Sequence, residues 1–158
     1  MNTKGIKDKL IDSAKEAKDL YYRLVLLIGF PGSDKTTILN KVAVELGQTS
    51  ININLELSRR LLEMTNKKRL LKTPDILDEI LSTHNGIAIL DSTEILFDVS
   101  LKQDPLTLLK KISRNKTIIA SWSGTINKGK LVYAEPGHPE YKAYNTTDIQ
   151  IVSMDTDY

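Results

Sequence analysis

The chain of 158 residues contains no cysteine. That rules out a disulfide scaffold, a thiolate zinc site and a thiol nucleophile. Its two histidines, His84 and His138, lie far apart in the sequence, which argues against a His-rich metal site. No apolar run approaches the roughly 20 residues of a membrane span, and the amino terminus enters a charged amphipathic segment instead of a signal-like apolar stretch. The expectation is a cytoplasmic protein with no membrane contact. An excess of charge of one sign is also lacking. A net charge of +2 does not by itself point to nucleic acid. What remains is ordinary for one globular domain, with 41% hydrophobic and 27% charged residues and enough length to bury a core.

Apolar residues recur at helical spacing from Ile6 to Leu20, so residues 1–22 are expected to carry an N-terminal amphipathic helix. Leu24 to Ile28 is continuously apolar and short, as expected of a strand covered on both faces. The helical period returns from Lys35 to Leu46, with Gly47 as its stop. Further strands are expected at Ser50–Asn54, Ile87–Asp91, Thr117–Ser121, Leu131–Tyr133 and Ile149–Val152. Residues 57–71 look helical but interrupted near Thr65–Asn66. Thr73–Pro74 and Asp104–Pro105 each read as a cap and first-turn proline opening a new helix. Residues 153–158 are expected to fray. The alternation of strand and helix predicts an α/β domain with a mainly parallel, five-stranded sheet between helices. No stretch is left over for a separate helical lid domain.

Gly29-Phe30-Pro31-Gly32-Ser33-Asp34-Lys35-Thr36 falls between the first strand and the second helix and fits the P-loop (Walker A) spacing. In that setting, main-chain N–H groups at a helix start surround a polyphosphate. Lys35 would reach the terminal phosphates, the Thr36 hydroxyl would bind Mg²⁺, and Thr37 completes the binding turn. These features predict a P-loop NTPase fold that binds ATP with Mg²⁺. Asp34 stands where glycine is expected. At ~5 Å and an effective dielectric of about 20, each unit of like charge facing it costs roughly 3 kcal/mol before screening. Weak or Mg²⁺-dependent affinity follows, or a degenerate site. The plainer alternative is that Ser33 or Asp34 merely caps the helix.

Asp91, at the end of a buried apolar strand, is the expected second metal-side carboxylate, although a strand-end aspartate also caps turns. Catalysis needs a group to position water. Ser92 occupies the place directly after Asp91, which leaves Glu94 as the candidate; it would equally suit the first turn of a helix. Ser121, at a strand end, is placed to sense the terminal phosphate. Arg114 is a candidate arginine finger across a subunit boundary, or a cation favoured at a helix C-terminus. Arg59, Arg60, Lys67, Lys68, Arg69 and Lys72 crowd into 14 residues and form either a DNA-backbone contact or the solvated side of amphipathic helices.

Beyond the loop, five segments resemble the BrxF family of small P-loop proteins from the type III BREX phage-defence systems of bacteria. They are Asn54–Leu61, Leu90–Phe97, Asp104–Leu106, Ser113–Asn115 and Tyr133–Tyr141. The resemblance runs from about residue 20 to 145. It implies a component of a multi-protein machine that separates host from phage DNA. The implied partners are a larger AAA-type ATPase, a DNA methyltransferase and an alkaline-phosphatase-like protein. The family's loop carries glycine where this chain has Asp34. Three functional readings follow: a nucleotide-dependent switch or weak ATPase in a defence complex, a small-molecule or nucleotide kinase, and a non-catalytic scaffold or DNA-contacting adaptor. Rings are common in this fold, so a homo-oligomer is among the expectations.

Overall fold

The structure is a computed structural model and describes residues 3–134, 139–146 and 148–154. Five parallel strands form the body of the sheet: β1 (Leu24–Gly29), β2 (Ile51–Asn52), β3 (Ala88–Asp91), β4 (Ile118–Asn127) and β7 (Gln150–Ser153). Their order is β2-β3-β4-β1-β7. All four neighbouring pairs are parallel, so the mixed α/β architecture with a mainly parallel sheet is as the sequence predicts. The reason is visible in β1, where all five residues from Leu24 to Ile28 are buried. A strand so apolar needs cover on both faces, and helices supply it.

On one face, Val25, Leu27, Ile89, Ile119 and Val152 pack against α1 (Thr3–Ala17) and α2 (Lys35–Leu46). On the other, Leu24, Leu26, Leu90, Ile118 and Ala120 meet α3 (Ile53–Leu61), α4 (Asn66–Ser82) and α5 (Pro105–Ile112). Among the described residues, no helix follows α5, and no helix is long and apolar enough to cross a membrane.

The structure departs from the sequence reading at several places, each with a local cause. The expected strand Ser50–Asn54 shrinks to Ile51–Asn52 because Asn52 caps α3, its side-chain oxygen accepting from the Leu55 N–H at 2.9 Å. Thr73–Pro74 does not open a helix; Pro74 sits inside α4. A mid-helix proline orphans the carbonyl four residues back. Here that carbonyl is Leu70 O, and it accepts from Gln103 Nε2 at 2.9 Å. The Thr73 hydroxyl likewise donates to Arg69 O at 2.6 Å. Asp104 does precede α5, but its carboxylate holds the Thr107 and Tyr144 hydroxyls instead of a main-chain N–H.

The sheet also exceeds five strands. β4 runs on to Asn127, pairs antiparallel with β5 (Lys130–Tyr133), and β5 pairs with β6 (Lys142–Tyr144), giving seven strands. Gly124 permits that hairpin, since a Cβ there would lie 1.9 Å from Val132 O. At the other end, Ser153 does not fray. It pairs with Ile28, and the Met154 N–H donates to Ile28 O at 2.8 Å. Residues 155–158 and Glu135–His138 lie outside the described residues.

Candidate functional site

β1 ends at Gly29 and α2 begins at Lys35, so the intervening loop lies at the carboxyl ends of the parallel strands. Open α/β sheets bind their ligands there. Gly29 is tightly enclosed: a Cβ would come within 2.6 Å of Ser33 Oγ and 2.8 Å of Met154 Cγ. Gly32 has φ +83°, a conformation that side chains rarely adopt. The Ser33 N–H closes the turn on Phe30 O at 3.0 Å.

Asp34 is the residue just before α2, with φ 74° and ψ 31°, in the left-handed region that favours glycine. Aspartate tolerates that region better than most residues. Its side chain makes no bond to a main-chain N–H, so it is not acting as a helix cap. The carboxylate turns instead to the Thr37 hydroxyl, 2.6 Å away.

Lys35 is only 8% exposed. Its ammonium donates to Gly29 O at 3.1 Å, Phe30 O at 2.9 Å and Ser33 Oγ at 3.4 Å. Burial pulls its pKa below the usual lysine value, while the carboxylates of Glu94 and Asp91 hold it up. Both acids belong to the same concavity, a cavity of about 340 Å³ lined by the loop, Thr36, Asp91, Glu94, Ser121 and Ser123. Thus the structure brings together Pro31, Gly32, Asp34, Lys35, Thr36, Asp91 and Glu94 from two separate chain segments. Gly29, Phe30, Ser33 and Thr37 frame the loop around them.

Each polar wall residue is held by its own local geometry. Asp91 closes β3, and one of its oxygens accepts from the Ser92 N–H at 2.8 Å. Ser92 is left-handed at φ 54°, and a 3-10 turn over Thr93–Phe97 follows. Buried Thr93 anchors that turn by donating its hydroxyl to Ser121 O at 2.7 Å. Glu94, in the first residues of the turn, accepts from Ser123 Oγ at 3.4 Å. The positive φ at Ser92 and the role of Ser123 carried no sequence signal.

Not every predicted residue converges here. Arg114 follows α5 at the opposite, amino-terminal end of the sheet. Its Nη1 donates to Tyr21 O at 2.7 Å and its guanidinium lies 3.5 Å from the Tyr21 ring centroid. In the basic cluster, Arg59 and Arg60 pair with Glu56 at 3.5 and 3.1 Å. Arg69 donates to the carbonyls of Met64 and Leu62. Lys67 and Lys68 are exposed in the first turn of α4, and Lys72 is exposed further along it.

A scan against protein-family models gives no match, and a search of curated proteins finds no relative. Among solved structures, the chain is similar to C. elegans PCH-2, with 20% identity and a TM-score of 0.48. The alignment covers 97% of this chain and 41% of that one, so the chain spans less than half the length of that protein.

Proposed function

We propose that the chain is a P-loop protein that binds ATP with Mg²⁺ at Gly29–Thr37. The observation that carries this reading is the single cavity in which Lys35 and Thr36, at a helix start, face Asp91 and Glu94. The residues suit the ligand. Main-chain N–H groups and the helix dipole at the start of α2 favour a polyphosphate. Thr36 is exposed toward the cavity, and Asp91 retains one oxygen beyond the Ser92 bond. These two would hold Mg²⁺, which would supply charge neutralisation between phosphates. Lys35 would exchange its loop carbonyls for phosphate oxygens, a stronger class of hydrogen bond. Glu94 would orient a water molecule, giving weak ATP hydrolysis, and Ser121 would report the terminal phosphate.

The quoted segment similarities favour a place in a type III BREX defence complex, as a BrxF-like subunit whose nucleotide occupancy controls assembly. The partners would be the larger AAA-type ATPase, the methyltransferase, the phosphatase-like protein, or further copies of this chain. Lys67, Lys68 and Lys72 would supply any DNA-backbone contact. Isothermal titration of Mg-ATP and Mg-ADP into the purified chain and its partner complex tests the first claim, and a titration without heat in both defeats it. Co-purification with the partners, wild type against Lys35→Ala, tests the second.

Two observations favour a second reading, a scaffold with a relic loop. Lys35 is bound to its own loop, and Asp34 puts an acid at the cradle. On that reading neither Asp34→Gly nor Lys35→Ala alters nucleotide binding or phage defence.

A further inference from the structure

The amino-terminal end of the sheet carries a surface that the phosphate loop does not use. Among the described residues two aromatic side chains are exposed, Phe30 on that loop and Tyr21 at this opposite end. Tyr21 lies in the connection between α1 and β1 and is 64% exposed, with Leu20 beside it at 42%.

The ring is nevertheless held in place. The Arg114 guanidinium stacks 3.5 Å from its centroid, and Tyr22 meets it at 90° with centroids 4.8 Å apart. Arg114 Nη1 donates to Tyr21 O, and Arg23 Nη2 donates back to Arg114 O. The Arg23 N–H donates to Ser113 O, and the Ile118 N–H to Arg23 O, which ties this corner to α5 and β4. A ring with both faces covered would not stay 64% exposed. One aromatic face is therefore preoriented and open to solvent.

The charge around it is positive. Arg23, Lys111 and Arg114 form no ion pair among the described residues. Arg23 and Arg114 give their side-chain bonds to neutral carbonyls, so each keeps its charge and further N–H donors. Lys111 is exposed in the last turn of α5. The acids of this end are Glu16 and Asp19, which alternate with Lys15 and Lys18, and Asp148, which pairs with Lys110 at 2.9 Å. Guanidiniums take phosphate oxygens in paired hydrogen bonds, and an aromatic face takes a base of any sequence.

We propose that this surface binds single-stranded nucleic acid. A base stacks on the open Tyr21 face, and Arg23, Lys111 and Arg114 take the flanking phosphates. A duplex keeps its bases stacked inside and offers none to the ring. The α4 lysines lack such a platform, because no aromatic residue occurs from Ile51 to Ser82. The proposal stands apart from the nucleotide reading, since Tyr21 and Lys35 lie at opposite ends of the sheet.

The probes are a fluorescein-labelled oligothymidylate of about twelve nucleotides and the matching oligouridylate, titrated with the full chain and followed by anisotropy. Saturable binding is expected, weakening as salt rises. Tyr21→Ala should weaken it about tenfold, and Tyr21→Phe should keep it within about twofold. The same strand annealed to its complement should bind about tenfold more weakly. The tighter of the two single strands identifies DNA or RNA as the source. Thermal melts confirm that Tyr21→Ala, a change at an exposed ring, stays folded. No binding at low salt, full binding by Tyr21→Ala, or equal affinity for the duplex overturns the proposal. So does binding that survives Tyr21→Ala but is lost when Lys67, Lys68 and Lys72 become alanine, which would move the contact to α4. Self-association that Tyr21→Ala abolishes, with no strand bound, would mark a protein interface and overturn it as well.

Discussion

The two ends of the parallel sheet use the same device differently. At the amino-terminal end, Arg114 donates to Tyr21 O, Arg23 donates to Arg114 O at 2.5 Å, and Lys116 binds His84 O. At the carboxyl end, Lys35 donates to Gly29 O and Phe30 O. In each case a cation satisfies main-chain carbonyls. Among the described residues, the carboxyl end adds a cavity with a hydroxyl and two carboxylates, where releasing the cation would open it to new partners. A buried lysine on a carbonyl is therefore not evidence of a purely structural role. The surroundings decide it.

The largest expected effect tests how far the comparison depends on the hairpin that walls the carboxyl end. Trp122 is fully buried and contacts Phe97, Tyr133 and Tyr144. Trp122→Ala should cost about 3–5 kcal/mol of stability in urea denaturation. A loss below about 1 kcal/mol would show that the hairpin end contributes little to the fold.

Next, Lys35→Ala should weaken Mg-ATP binding by roughly 100-fold in calorimetry. Its unfolding midpoint should change little, because a charge held at a desolvation cost is removed with it. If binding survives and stability collapses, Lys35 is a bolt of the same kind as Arg114.

Asp34→Gly should tighten ATP about tenfold, since it removes a like charge and relieves a left-handed conformation. The gain should be greater without Mg²⁺ than with it, which paired titrations would reveal.

Arg114→Ala should lower stability by about 1 kcal/mol, from the lost carbonyl bond and ring contact, and leave ATP affinity unchanged. Lost hydrolysis with unaltered stability would instead make Arg114 a finger acting on a neighbouring copy.

Finally, stability should fall at high pH. Because Tyr133 holds its proton more tightly folded than unfolded, its contribution is intact below about pH 10 and is lost as pH rises through about 12. Tyr144, raised by burial and its bond to Asp104, acts in the same direction. Thermal melts of Tyr133→Phe should show a shallower alkaline decline than wild type.

Gly29 to Thr37, Asp91 and Glu94 were legible in the sequence because strand, turn and helix signals are local and adjoin one another. The parallel sheet was legible because β1 and the openings of β3 (Ala88–Leu90) and β4 (Ile118–Ala120) are apolar runs. What sequence missed was decided at a distance. Pro74 has the local signature of a helix start, and the carbonyl it orphans inside α4, Leu70 O, is satisfied by Gln103, 33 residues beyond Leu70. β6 holds just Lys142, Ala143 and Tyr144, too few and too polar to stand out without β5 beside it.

The Gln103 bridge has a mechanical consequence. By repairing the break at Pro74, it makes α4 one stiff rod of 17 residues, about 25 Å long. The basic first turn of the helix, with Lys67 and Lys68, and its far end at Ser82 therefore belong to one continuous element.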